Sequence, residues 1–404
     1  MNTIPATSNA RLGPLATRLR TFALVVALVA AAAGLWLGHA RGDGFQRFQH
    51  AWLLACAFFL TVSLGALFFV ILQHLVRAGW SVVVRRLAEL MAANVVVVAL
   101  LLSPLVVLAA MGDGSLWPWA DPAAAEHHPL IAKKAAFLNG QFFAIRCAVY
   151  FGAWILLSRW LLRRSRQQDE ARDTLPTEAL ERRAPPAMVA FAVTISFASF
   201  DLLMSLSPEW YSTIFGVYVF AGSVIAFVAT TILTLRFLQS RGILRGSVGV
   251  EHYHDLGKLL FAFTFFWGYI AFSQFMLIWY ADIPEETHWF HVRFEGSWAY
   301  VSALLLFGHF VLPFAGLLSR HAKRNLGVLT FWAAWMLVMH ATDLFWLIAP
   351  GVTHGGALVD VLDVLAFLAV GGAWTFGLAL HAADRSLVPV GDPRLHESLA
   401  FENL

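Results

Sequence analysis

Apolar residues in this chain fall neither on a narrow helical stripe nor on alternate positions. They form long, nearly unbroken blocks separated by polar or charged segments. A membrane-crossing helix needs roughly 20 apolar residues to span a hydrocarbon core about 30 Å thick, and ten blocks come close to that length. They run over Thr21–Gly38, Ala51–Leu72, Ala88–Met111, Ala135–Leu161, Ala187–Leu206, Ile214–Leu238, Leu256–Tyr280, Trp298–Leu318, Leu326–Ala349 and Ala357–Ala382. The pattern predicts an all-α polytopic membrane protein of ten transmembrane helices. In the first block, Arg18 and Arg20 precede an Ala-rich run, as in a secretory leader. Its length and the interfacial position of Trp36 predict an uncleaved span instead.

The blocks look doubled. Span 5 contains DLLMSLSP, Asp201 to Pro208, and span 9 contains DLFWLIAP, Asp343 to Pro350; FG…LLSR recurs in spans 4 and 8, with a longer interval in the second copy. Spans 2–5 and 6–9 then form two four-helix bundles related as parallel repeats, with spans 1 and 10 peripheral. The competing explanation is chance similarity between low-information helices. The expected divisions are 1–50, 51–213, 214–350 and 351–404, with a solvated charged loop at 159–186 and a similar tail from Asp384 to Leu404.

Composition narrows the class. With 59% hydrophobic and 13% charged residues, the chain is too apolar for a water-soluble domain. The net charge of +3 is explained by topology. Arg11, Arg18, Arg20, Arg77, Arg85, Arg86, the arginines between Arg159 and Arg183, Arg236, Arg241, Arg245, Lys258, Arg320, Lys323, Arg324, Arg385 and Arg394 all fall on the side shared with the N-terminus. Arg41, Arg47, Lys133, Lys134 and Arg293 fall on the other. The imbalance predicts cytoplasmic termini and gives no support to nucleic-acid binding. Cys56 and Cys147 both lie inside spans, so there is no CxxCH for a c-type haem and no cysteine set for an iron–sulfur cluster.

Ionisable residues inside spans are costly and need a partner or a wet cavity. Here they are Arg146, Asp201, His309, His340 and Asp343, with Asp360 and Asp363 at the outer start of span 10, and His252, His254, Asp255 and Lys258 at the inner mouth of span 7. His340 and Asp343 share a helix face. His309 is expected at comparable depth, and Gln274 is placed to join them. These residues predict a proton pathway entering at the His252–Lys258 cluster, passing Gln274, His309, His340 and Asp343, and leaving at Asp360 or Asp363. Simple helix–helix hydrogen bonding is the plainer alternative. Arg146 and Asp201 are expected either to form a buried ion pair or to line a site.

The ten-span layout, FFWGYIAFSQFMLIWYADIPEETHWF (Phe265–Phe290) and FDLLMSL (Phe200–Leu206) resemble the NrfD-like family, the membrane subunits of polysulfide reductase type. Within it they are most similar to the second such subunit of bacterial alternative complex III. The resemblance implies an inner-membrane subunit of a quinol:cytochrome c or quinol:acceptor oxidoreductase. Its partners would be a homologous quinol-binding subunit, subunits carrying haem c and iron–sulfur clusters, lipid, and in some cases a terminal oxidase. Quinol-binding relatives use a histidine on the third helix of the first bundle and an aspartate on the fourth. Asp201 matches the aspartate, but span 4 offers Gln141 and Arg146 and no histidine. A proton-conducting and scaffolding role beside a quinol-oxidising sister is therefore expected. The alternatives are quinol binding in this chain, a b-haem between His309 and His340, and a free-standing secondary transporter.

Overall fold

The computed structural model describes residues 10–403 apart from 128, 172, 354, 355 and 384. Arg172, one of the basic residues counted above, and Asp384 and Leu404, the ends of the tail, lie outside the described residues. Among the described residues, ten helices are long and apolar enough to cross a membrane: α1 Pro14–Arg41, α2 Gln46–Leu75, α3 Val82–Ala110, α4 Gly140–Glu170, α5 Leu175–Leu206, α6 Phe215–Ser240, α7 Val250–Ala281, α8 Trp298–Leu318, α9 Leu326–Gly351 and α10 Val361–Ala382. No strand occurs among the described residues. The protein is an all-α polytopic membrane protein, as hydrocarbon requires of a chain that must satisfy every backbone group internally.

Local chemistry sets the helix ends. Pro14 opens α1, and Gly42 closes it with φ 71° in the left-handed region. Asn139 accepts the Phe142 N–H at the start of α4, and Asn325 accepts those of Gly327 and Val328 at the start of α9.

α2 packs on α3, α4 and α5, and α6 packs on α7 and α9. The two groups meet where α2 lies against α6, with α9 also touching α2. These two central helices are buried over 83% and 78% of their apolar windows, against 28% for α1 and for α8. α1 lies along α10, which leans on α2 and is tied to α3 and α2 through Asn94 Nδ2 to the Trp374 carbonyl (2.7 Å) and Trp374 Nε1 to Ser63 Oγ (3.0 Å). At the α2–α6 crossing, a Cβ on Gly65 would stand 2.1 Å from the Ser223 carbonyl oxygen. Close approach of backbones through a small residue is the usual basis of helix association in lipid, where no hydrophobic force draws helices together.

The end of the molecule carrying most of the basic residues differs from expectation. The segment 159–186 is not a solvated loop: α4 runs on to Glu170 and α5 begins at Leu175. Arg86 holds this extension, donating to the Ser165 carbonyl and hydroxyl (both 3.2 Å) and to Asp169 (2.8 Å). The tail is docked too. Leu387, Val388 and Leu395 are buried, Arg85 pairs with Asp392, and Ser398 Oγ donates to the Trp80 carbonyl at 2.6 Å. Its few apolar residues are too irregularly spaced to show a period in sequence, yet each finds a place under the helix ends.

Gly65→Ala is expected to destabilise the protein by at least about 1–3 kcal/mol through overpacking against backbone that cannot yield. Gly152→Ala, where a Cβ meets nothing within 4 Å, should leave the unfolding midpoint in detergent unchanged. Equal midpoints for the two variants would show that the crossing is not the tight seam described.

Candidate functional site

α9 places His340 and Asp343 on one face, inside the second bundle. α8 brings the third member, because its path widens into a π-helical turn over Leu305–Val311 that includes His309. Such turns are rare and concentrate at functional sites. The Gly308 carbonyl within it accepts a hydrogen bond from Trp335 Nε1 at 2.7 Å. One ligand atom from each of His309, His340 and Asp343 lies within 4.8 Å of the others, and the residues are 0%, 1% and 2% exposed.

The surrounding bonds define the protonation pattern. The Tyr218 hydroxyl, from α6, donates to the Asp343 carboxylate. Thr61 Oγ1, from α2, donates its one proton to the Phe58 carbonyl at 2.7 Å. Toward His340 Nε2, 2.8 Å away, it can only accept, so Nε2 carries the hydrogen and Nδ1 presents a lone pair. That Nδ1 has no hydrogen-bond partner, and neither has either nitrogen of His309. Each buried, unpaired polar atom costs roughly 1–3 kcal/mol. Three in one cluster mark a place where something other than stability was selected.

The two imidazoles are closely packed. The Trp267 ring lies 3.8 Å, centroid to centroid, from that of His309. A Cβ on Gly222 would come within 3.0 Å of His340 Cε1. Both rings are thus packed closely by their neighbours.

In the first bundle, Arg146 and Asp201 form a two-point ion pair, Nε to Oδ2 and Nη2 to Oδ1, both 2.8 Å. The third guanidinium nitrogen donates to the Phe137 carbonyl and the Tyr150 hydroxyl donates to Oδ2, each at 2.8 Å. Phe137 and Phe142 cover the guanidinium at 3.8 and 4.4 Å. The nearby cavity, lined by Thr61, Trp154, Ala198 and Ser199, has a volume of about 30 Å³. That is room for a water and too little for a quinone ring. The geometry is that of a saturated structural pair.

Other predicted members separate from the triad. Gln274 accepts from Ser212 Oγ at 3.0 Å, tying α7 to the 207–214 connection, so it does not join the histidines. His252 Nδ1 accepts the Gly249 N–H (3.1 Å) and Nε2 donates to the Ser398 carbonyl (3.0 Å), which makes it a cap and an anchor for the tail. Asp255 pairs with Lys258, which also reaches Asn403 Oδ1 at 3.0 Å, and His254 is buried beside them. No side-chain hydrogen bond links this cluster to the triad among the described residues. Asp360 and Asp363 form the capping box of α10 and pair with Arg41 and Arg47, so they fasten α10 to the α1–α2 corner and do not point to an exit. Burial alone would raise the Asp360 carboxyl, but the Leu362 N–H and Arg41 hold it below the usual range.

Three further members, Tyr218, Thr61 and Trp267, come from apolar runs in which hydroxyls and indoles give no signal. A fourth, Arg293, shows in the sequence only as an outer charge. It lies in a short helix, Pro284–Phe294, stacked on Trp289 at 3.5 Å. It donates to the carbonyls of Trp289 (2.9 Å), Trp346 and Leu347 (both 3.1 Å). Burial presses its pKa down to about 9, with Tyr218 pulling upward; the group is still charged near neutral pH. Beyond it opens a cavity of about 1270 Å³ at the end opposite the basic cluster, lined by Trp210, Trp289, Arg293, Leu347 and Ile348. Leu347 is one helical turn beyond Asp343, so this vestibule approaches the triad closely.

Arg146→Met or Asp201→Leu alone should strand a charge at a cost of roughly 3–5 kcal/mol, whereas the double change can be near neutral. The double variant is expected to be recovered from membranes in higher folded yield than either single one. Normal yields of both single variants combined with loss of quinol turnover would instead identify the pair as a substrate site.

No protein-family model matches this chain, and no curated protein matches it at a significant level.

Proposed function

We propose that this chain is a proton-handling membrane subunit of a quinol-oxidising respiratory complex, acting beside a sister subunit that binds the quinol. The observation that carries the reading is the His309–His340–Asp343 triad. It is a carboxyl and two imidazoles within reach of one another, closed off from lipid, with lone pairs that nothing in the fold uses. Ionisable groups inside a membrane mark proton or ion pathways more often than structure. Tyr218 and Thr61 extend the set by a hydroxyl on either side. The vestibule brings solvent to within about a helical turn of Asp343, with Arg293 standing between.

The remaining parts of the reading rest on the resemblance in Phe265–Phe290 and Phe200–Leu206. They are residence in a bacterial cytoplasmic membrane with the basic end inside, and partner subunits that carry haem c and iron–sulfur clusters. The saturated Arg146–Asp201 pair and the small cavity beside it favour a sister subunit as the place of quinol oxidation. The polar clusters at the two ends of the molecule are assigned to holding helices and tail together, and water must complete any path between them and the triad.

Asp343→Asn keeps hydrogen bonds but cannot carry a proton, while Asp343→Glu can. In the reconstituted complex, Asp343→Asn should lower proton release per quinol, or turnover under a membrane potential, by several-fold with haem content unchanged, and Asp343→Glu should partly restore it. Identical proton-to-electron ratios and turnover in wild type and Asp343→Asn would remove the relay. Purification in mild detergent should recover the chain with haem- and iron–sulfur-bearing partners; recovery solely as a homo-oligomer would remove the complex.

A further inference from the structure

We infer that His309, His340 and Asp343 form a binding site for a divalent transition-metal ion, with Zn²⁺ the occupant that the site fits best. The inference stands on the geometry of the triad and does not depend on the relay reading. A metal held here would occupy the lone pairs that a relay needs, so it would act as an inhibitor of that function.

Four features point to a metal. Two imidazoles and one carboxylate are the donor set of open zinc sites, in which a water takes the fourth position. The three donors lie within 4.8 Å of one another. Zinc bonds of about 2.0–2.2 Å require donors about 3.3 Å apart, so they need to draw together by roughly 1.5 Å at most. Three imidazole nitrogens are buried without partners, His309 Nδ1 and Nε2 and His340 Nδ1. Finally, the outer contacts are those that orient metal ligands. His340 gives its Nε2 hydrogen to Thr61, which leaves Nδ1 free to coordinate, and Asp343 accepts from Tyr218.

Crowding selects among metals. Trp267 lies on His309, and the Gly222 backbone lies against His340. A six-coordinate ion would need three extra positions there, whereas four-coordinate Zn²⁺ needs one. Charge also balances: a 2+ ion, the Asp343 carboxylate and a bound water that has released its proton sum to zero, and bound water on zinc gives up its proton near neutral pH. The ion would come through the vestibule and pass Arg293, whose positive charge makes loading slow.

The test uses the full-length chain in detergent, stripped with chelator and equilibrated for hours with Zn²⁺, or with Co²⁺ as a spectroscopic substitute. Wild type should retain one Zn²⁺ per chain after gel filtration, and with Co²⁺ should show the visible bands of a four-coordinate site. His309→Ala and His340→Ala should abolish both signals, Thr61→Val should weaken affinity by about 10–100-fold, and the exposed His39→Ala and His321→Ala should have no effect. X-ray absorption at the zinc edge of wild type, which needs no variant, should show two imidazoles and only nitrogen and oxygen neighbours. Less than stoichiometric binding by wild type, a six-coordinate spectrum, or full binding by His309→Ala would overturn the assignment.

Discussion

A polar group buried in hydrocarbon has only the rest of the protein to satisfy it, and this fold is organised around that constraint. The α2–α6 seam exists because Gly65 lets one backbone reach another, and the peripheral α10 is held by polar bonds at both ends and along its length, Asn94 to the Trp374 carbonyl and Asp363 to Arg47 among them. Arg146, the one basic residue expected deep within a span, has its donors spent on Asp201 and Phe137. Other buried polar atoms also lack a partner, but at His309 and His340 three unpaired imidazole nitrogens fall within one cluster beside a carboxylate. They carry a cost that the fold does not recover through packing.

Two similar helix ends are used differently in the two halves of the molecule. Asp201 and Asp343 each lie near the end of a helix that finishes in a 3₁₀ turn, at Met204–Leu206 and Ala349–Gly351, and each accepts a tyrosine hydroxyl. A guanidinium then locks Asp201 directly. In the second half the guanidinium of Arg293 binds the carbonyls of Trp346 and Leu347 and leaves the carboxylate free of an ion pair. With α8 widened at His309, the second half brings protonatable groups within 4.8 Å of one another, whereas the first half holds its carboxylate in an ion pair.

Rigidity at the basic end comes from charge. Arg85, Arg86, Glu89, Asp169 and Asp392 form a connected network, which ties α3, the extension of α4 and the C-terminal segment into one layer. His252 contributes by accepting from Gly249 and holding Ser398. Histidines and carboxylates that look like a proton entrance in sequence are here parts of a clasp, since the tail that covers them comes from nearly 150 residues away.

Membrane residence, helix number and the likeness of the Asp–Pro segments follow from the sequence because apolar run length and residue identity are local properties. The pairing of His340 with Asp343 was legible for the same reason, as three positions on a helix share a face. Most of the remaining site was not. Thr61, Tyr218 and Trp267 approach from helices well removed in the chain, and nothing in an apolar run marks which hydroxyl or indole turns inward; Arg293 comes from the short connecting helix before α8. Gln274, Asp360 and Asp363 looked equivalent to the triad by composition, yet each found a nearer partner, in Ser212, Arg41 and Arg47. Which polar groups neutralise one another is a question of three-dimensional proximity in a medium that offers no alternative partner. The sequence therefore determined what must be buried, and only the tertiary structure decided which of those groups would be left with a free lone pair.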